Sequence, residues 1–480
     1  MAAAPELLFS QDGGRVVLEH IRKENLDLYN RLHSIDHDAR FVDEVRKHLP
    51  SLPLIPNLRC GAWYTNPSIA TDTPAYFKST DGHTNNWSFN LRRVNLHLLP
   101  LIVEKGGLVL VDSTRAGKRM PDALSKTVPI WCSVINRAVL KRDPSAYAHR
   151  ESWDTALYTP PLVVSRQEHA HIEEKLDQWA TDLAASSFSL PDLPLPLRPV
   201  WITPASSTFP SLDALQSDAL PIICVSASRQ VENGVERRGD GFAYVQGSGD
   251  DHELWGKGLT PAIFWKHHQE INAATRDELA PLVDRLCAAG PAYTVASRTK
   301  LSSVEKVAGR ISVGAIDDLP PDCDSEAANE GQEDMTYVLV TQTSRPCPIS
   351  TNTRVYSMTS KNSQMEYLKT VLPEATSFIS ASLASGQNVC IACDTGADLG
   401  VGVAVAALQL NFDDEGRYSP SCKYTDTADD SSNRDVDKKT IRRRLEWVIA
   451  SRPQANPSRT TLKRVNEFLL SSPAFRTASA

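Results

Sequence analysis

The chain has 480 residues, 41% of them hydrophobic and 23% charged, which suits a globular protein of two or three domains. A net charge of −7 excludes a chain-wide polycation, so any nucleic-acid site has to be a local patch. Nine scattered cysteines and no secretory apolar segment predict a reducing, cytoplasmic setting, and the longest apolar stretch, Leu399 to Leu410, is too short and glycine-rich to span a membrane.

In chain order, Val17, Leu18, Ile21, Leu28 and Leu32 recur at helical spacing and predict an amphipathic helix over 16–32. Phe41, Val42, Val45 and Leu49 predict a second, shorter helix after Ser34-Ile-Asp36; both read as packing elements. Arg59, close to Trp63 and Tyr64, suits a phosphate, a base or a surface ion pair. The stretch Ala75 to Trp87 crowds Lys78, Asp81, His83, Asn85 and Asn86 into one loop, either a site lining or a plain Asp-Gly turn. Leu91, Val94, Leu98 and Leu99 predict a helix over 87–103, with Arg92, Arg93, Asn95 and His97 on its polar side.

The apolar run Leu108 to Val111 reads as a buried strand that stops at Asp112. Ser113, Thr114, Arg115, Gly117, Lys118 and Arg119 follow at once, and Pro129 sits near the first turn of a helix over 127–140. A strand, a polar loop and a helix offer backbone N–H groups, dipole charge and cations to a phosphate. Asp112, at the strand's carboxyl end, suits ribose hydroxyls or a hydrated magnesium ion. The other reading is an ordinary βα turn with a solvated basic surface. The Walker pattern is absent. The layout is shared with phosphoribosyl-pyrophosphate loops, and Ser113 and Arg119 have the spacing of the Cys and Arg in a tyrosine-phosphatase loop.

Residues 165–184 predict another amphipathic helix, and 190–204 a proline-rich extended segment. A second buried strand, Ile222 to Ser226, again ends in hydroxyls and a cation, here Ser226, Ser228 and Arg229. Phe242 to Gln246 predict a strand turned by Gly247-Ser-Gly249. Asp250, Asp251, His252 and Glu253 then fall at an expected helix start. Asp250 and Asp251 suit magnesium or a general base and His252 a proton carrier; the alternative is an acidic turn complementing a helix dipole.

Residues 315–334 are acidic and aperiodic, which predicts a linker over 315–335 between domains at 1–314 and 336–480. In the second domain a strand over 337–341, a helix within 361–383, a strand over 388–393 and a helix over 401–410 are expected. Cys393, Asp394, Thr395 and Gly396 have the shape of a phosphatase loop, but Leu399 stands where arginine grips the phosphoryl group. Cys390 and Cys393 lack a second pair at zinc spacing and read as buried thiols. After a polar insertion over 413–437, a helix opens with Lys438 and Lys439 and carries Arg442, Arg443 and Arg444; Arg452, Arg459, Lys463 and Arg464 continue the basic run, as an RNA-backbone contact or as a solvated face.

The stretch Asp112 to Trp131, taken with Ser79-Thr-Asp-Gly-His83, Gln246-Gly-Ser-Gly-Asp-Asp-His-Glu-Leu-Trp255 and Ala455-Asn-Pro-Ser-Arg459, resembles the fungal and plant initiator-tRNA 2′-O-ribosyl phosphate transferases over nearly the whole chain. That resemblance implies an α/β N-terminal catalytic region and a C-terminal α/β domain like the dual-specificity phosphatases. It implies phosphoribosyl transfer from phosphoribosyl pyrophosphate to the 2′-hydroxyl of a T-stem adenosine of initiator methionine tRNA. Arg115, Lys118 and Arg119, with Ser113, Thr114 and Gly117 and magnesium at Asp250 and Asp251, would then hold the donor. Asp250 or Asp251 is the first choice of base, His252 the second, Asp81 and His83 the reserves. Arg92, Arg93 and Arg442 to Arg444 would hold tRNA phosphates. The C-terminal loop departs from the family at Ala397 and Gly400, which leaves it anion or tRNA docking. The rival readings are a phosphatase, resting on Cys393, and a non-catalytic tRNA-binding protein.

Overall fold

The computed structural model describes residues 22–79, 87–114, 117–147, 153–231, 235–237, 241–288, 301–319, 335–343, 352–359, 362–419 and 436–471. Two compact units divide the chain near residue 292, with Ser186–Ser189 grouped with the second.

The first unit is built on a parallel four-stranded sheet, β1 (Leu54–Pro56), β2 (Leu108–Asp112), β3 (Leu197–Ile202) and β4 (Leu220–Ser226), in the order β1-β2-β4-β3. Strands β2 and β4 are buried throughout, as the unbroken runs LVLV and IICV require of a parallel sheet covered on both faces. Asp112 pairs with Ser226 at their carboxyl ends. Val109, Val111, Ile223 and Val225 face one layer with Leu32, Ile35 and Val42 of helix α1 (Leu28–His48), and with Trp63 and Tyr64 of the short helix α2 (Gly61–Tyr64). On the other side helix α4 (Val128–Arg142), which follows the short helix α3 (Leu99–Lys105) and a π-turn at Ala123–Thr127, packs on β3. Buried Asn136 locks it there: its Oδ1 accepts from Leu197 N (2.8 Å) and its Nδ2 donates to Leu197 O (2.9 Å).

Two expectations change in this unit. The break foreseen at Ser34-Ile-Asp36 falls instead at Asp27, between a helix over 22–26 and α1: Asp27 caps Asn30 N, while Ser34 folds its hydroxyl back onto Asn30 O and leaves the helix unbroken. Residues 16–21 lie outside the described residues. The helix expected over 87–103 starts only at Leu99. Pro100 fits only a first turn, and Asn95 is left-handed (φ 51°), with Oδ1 on Tyr76 N. Leu91–Arg93 and Leu96–Leu98 form single 3-10 turns.

The second unit has a five-stranded sheet, β10-β9-β11-β8-β7, made of β7 (Ser302–Ser303), β8 (Ile311–Ala315), β9 (Met335–Thr341), β10 (Thr353–Ser357) and β11 (Asn388–Cys393). All neighbours are parallel except β7 with β8. The apolar helix α10 (Leu399–Asn411) is buried almost end to end between β11 and the helices Leu372–Ala384, Lys438–Ser451 and Arg459–Leu470. The expected boundary at 314 is therefore too late. Ile311–Ala315 hydrogen-bonds along β11, so the residues just before the acidic stretch already belong to the second sheet.

Candidate functional site

The carboxyl ends of β2 and β4 lie side by side, and the chain leaves them in opposite directions. From β2 it runs through α4 toward β3; from β4 it runs to the hairpin β5 (Val235–Arg237) and β6 (Ala243–Val245), which packs on α1. In such sheets the usual ligand position is a crevice at the strand ends where the connections diverge. Among the described residues, 112–114, 117–119, 226–231 and 246–252 come together at these strand ends.

Asp112 is fully buried, which pushes its carboxyl pKa up against the opposing pull of Arg59. It accepts from Asn57 Nδ2 (2.9 Å), Cys60 Sγ (2.9 Å) and Ser113 N (2.9 Å). Burial and the adjacent Asp112 raise the Cys60 thiol, so it stays a donor. Asp112 therefore fixes the root of the loop; it does not face ribose or a metal, as the sequence suggested. Ser113 is also turned inward. Its Oγ lies 2.6 Å from Ser228 Oγ, which donates to Asp38 (2.6 Å), and Tyr244 OH gives Asp38 a second bond (2.8 Å). Burial raises the Asp38 carboxyl pKa, while these hydroxyls and His37 lower it. The expected phosphate contact by the Ser113 hydroxyl is replaced by this internal network.

The rest of the loop faces outward by degrees. Thr114 is fully buried, and among the described residues its Oγ1 has no hydrogen-bond partner; the same holds for Ser226 Oγ. Arg115 lies outside the described residues. Gly117 takes a left-handed φ of 81° with open space where a side chain would be. Lys118 Nζ stands 3.7 Å from Asp122, and Arg119 is exposed. Gln246 ties the loop to its neighbours, giving Nε2 to Lys118 O (2.6 Å) and taking Val231 N on Oε1 (3.1 Å).

The run 250–253 does not open a helix; it makes a single 3-10 turn at His252–Leu254, entered through Asp251 at φ 47°. That twist sends the acids apart. Asp250 places both carboxylate oxygens on Arg59 Nη1 (3.0 and 3.2 Å), while Asp251 is exposed and His252 is half-buried beside Trp63. Among the described residues no three His, Cys, Asp or Glu side chains gather as a metal site. Asp81 and His83 lie outside the described residues. Gly249 has to be glycine, because an added Cβ would sit 2.8 Å from Trp63 Cβ. Gly249→Ala should cost about 1–3 kcal/mol by overpacking; an unfolding midpoint equal to wild type would show that this loop yields freely.

The expected RNA-binding arginines fare unevenly. Arg92 and Arg93 are half-buried on their 3-10 turn, Arg93 with its guanidinium 5.0 Å from the Tyr76 ring centre and its pKa lowered by burial. Arg442 and Arg443 are exposed, near Glu446 and Asp414. Arg444 is buried, over Trp447 and bonded to Phe412 O (3.2 Å) and Asp414 (2.9 Å), so it is a core strut and not an RNA contact.

The Cys393 loop is also built inward. Cys393 is buried. Asp394 accepts from Thr341 Oγ1 (2.7 Å) and Gln342 N (2.7 Å), and Thr395 Oγ1 accepts from Ala397 N (3.2 Å). Gly396 (φ 62°) gives its carbonyl to Arg452 Nε (2.7 Å) beneath the loop. Asp398 accepts from Ser458 N (2.8 Å). Two carboxylates in the turn, and an arginine that grips a carbonyl from below, do not make the anion cradle expected at Cys393 to Gly396.

Sequence reasoning missed Asp38 and gave Ser228, Gln246 and Arg59 no committed role. Asp38 did leave a signal: it falls on the helical stripe Ile35, Asp38, Val42, Val45, Leu49, where an acid has no place unless buried partners wait for it.

Fold and crevice together define a class, a parallel α/β unit with a loop-walled site at its strand ends, followed in one chain by a second parallel α/β unit. The model described as the Rit1 N-terminal domain matches residues 21–288, and that described as the Rit1 DUSP-like domain matches 352–469. The chain is 33% identical, over 94% of its length and 93% of the relative's, to tRNA A64-2'-O-ribosylphosphate transferase of Saccharomyces cerevisiae. It belongs to the Rit1 family. It is 43% identical over 54% of its length, and 56% of the relative's, to Uncharacterized protein C3F10.06c of Schizosaccharomyces pombe. Among solved structures it is similar to human DUSP28, with 13% identity and a TM-score of 0.24 over 35% of this chain and 93% of that one.

Proposed function

We propose that the protein transfers a 5-phosphoribosyl group from phosphoribosyl pyrophosphate to the ribose 2′-hydroxyl of a T-stem adenosine in initiator methionine tRNA, in the cytoplasm. The observation that carries the reading is the crevice at the ends of β2 and β4, with the buried hydroxyls of Thr114 and Ser226 unpartnered among the described residues. Such a group normally costs about 1–3 kcal/mol unless a ligand or water satisfies it. In the reaction the 2′-oxygen forms a bond to C1 of the donor, and the bond from C1 to the pyrophosphate oxygen breaks with its electron pair. The 2′-proton passes to a base. Exposed Asp251 and half-buried His252 are the candidates; Asp250, held by Arg59, is not. Lys118 and Arg119 offset the charge that builds on the leaving pyrophosphate. Magnesium would enter with the donor's phosphates, as it usually does, needing no more than one or two carboxylates from the chain. On the RNA side Arg92, Arg442 and Arg443 are the cations left for phosphate contacts, and A-form T-stem RNA is read by shape and backbone.

Incubation with phosphoribosyl pyrophosphate labelled in its 5-phosphate and with total tRNA should label initiator tRNA alone, at a ribose 2′-oxygen. Label on no tRNA would exclude this reading, and tRNA binding without transfer would favour a non-catalytic role.

A further inference from the structure

Among the described residues another cation, not one of the loop's own, lies against these strand ends. Arg59 lies between β1 and α2, and its guanidinium touches both walls. Nη1 donates to the two carboxylate oxygens of Asp250 (3.0 and 3.2 Å) and Nη2 donates to Ser113 O. Nε lies 3.6 Å from Asp112, whose fixed, buried position backs the group from behind. Lys118, by contrast, leans on Asp122, and Arg119 is exposed. Arg59 and Asp250 are respectively 21% and 13% exposed, so the pair sits at the mouth of the crevice, reachable by a ligand yet largely out of water.

We propose that Arg59 is the guanidinium that grips the donor's diphosphate, and that Asp250 is its resting counter-ion, displaced when the donor arrives. The proposal deepens the donor reading above and rests on it. Asp250 meets only Nη1, and a guanidinium N–H binds a carboxylate or a phosphate oxygen alike, so one can replace the other without moving the arginine. The diphosphate carries more negative charge than Asp250, which drives the exchange. Ser113 O and Asp112 keep hold of the guanidinium while its outer edge changes partner. Asp250 is thus a positioning residue and a competitor of the donor, not the base.

The test is direct binding of pyrophosphate and of phosphoribosyl pyrophosphate to the full chain, by calorimetry in magnesium-containing buffer without tRNA. Asp250→Asn, which keeps the shape and removes the competing charge, should tighten both ligands at least threefold. Arg59→Lys, which keeps the charge and loses the fork, should weaken both at least tenfold and leave the Kd for tRNA unchanged. Unchanged or weaker binding by Asp250→Asn would overturn the proposal, even if Arg59→Lys folds poorly, and so would wild-type affinity in a folded Arg59→Lys. Should the wild-type protein bind neither ligand, the donor reading itself fails and takes this proposal with it.

Discussion

Replacing Lys118 and Arg119 together by alanine should lower ribosylphosphate transfer by at least about 100-fold, the scale of losing one preorganised group that stabilises transition-state charge. The backbone that carries them is already fixed. Gln246 holds Lys118 O at 2.6 Å, and buried Asp112 holds the root of the loop through Ser113 N. Only the two side-chain charges change in the variant. If those charges serve the leaving pyrophosphate, turnover falls while tRNA affinity and its salt dependence stay as in wild type. If they serve the RNA backbone, affinity falls and the salt slope of binding flattens by up to about two phosphates' worth. Single-turnover transfer and filter binding across a salt series separate the two outcomes.

Arg452→Met should destabilise the second unit by about 3–5 kcal/mol, the usual cost of removing one partner from a buried ionic pair. The Arg452 side chain is 1% exposed and holds four groups at once: Gly396 O (2.7 Å), Val313 O (3.3 Å), Asp318 (3.3 Å) and Ser302 Oγ (3.4 Å). Its loss leaves a buried carboxylate and two carbonyls without that donor at the junction of β7, β8 and the Cys393 loop. A denaturant midpoint within error of wild type would mean that water or a neighbour takes its place. The same contacts account for an arginine that looks catalytic from its distance to Gly396 yet cannot reach an anion above the loop.

Local pattern carried the crevice well. The run LVLV closed by Asp112, and Pro129 at a helix start, specify strand, loop and helix by themselves, and each is found at its expected place. Charged residues were harder, because a charge in sequence does not say which way it points. Asp38 and Arg444 both fall on apolar stripes, Ile35-Asp38-Val42 and Ile441-Arg444-Leu445-Val448, and both are buried. Reading the stripe before the charge would have placed them in the core. Asp250 to Glu253 look like one acidic unit, but a single left-handed residue, Asp251, turns them apart. The domain boundary was misplaced for a different reason: Ile311–Ala315 is too short to announce itself beside an acidic stretch, and its partner strand, Asn388–Cys393, is more than 70 residues away.

A crystal of the protein soaked with phosphoribosyl pyrophosphate and magnesium tests the central claim most directly. The diphosphate should lie across residues 113–119, with Thr114 Oγ1 bonded and Arg59 Nη1 donating to it in place of Asp250. Donor density at the Cys393 loop, with the crevice between β2 and β4 empty, would contradict the account.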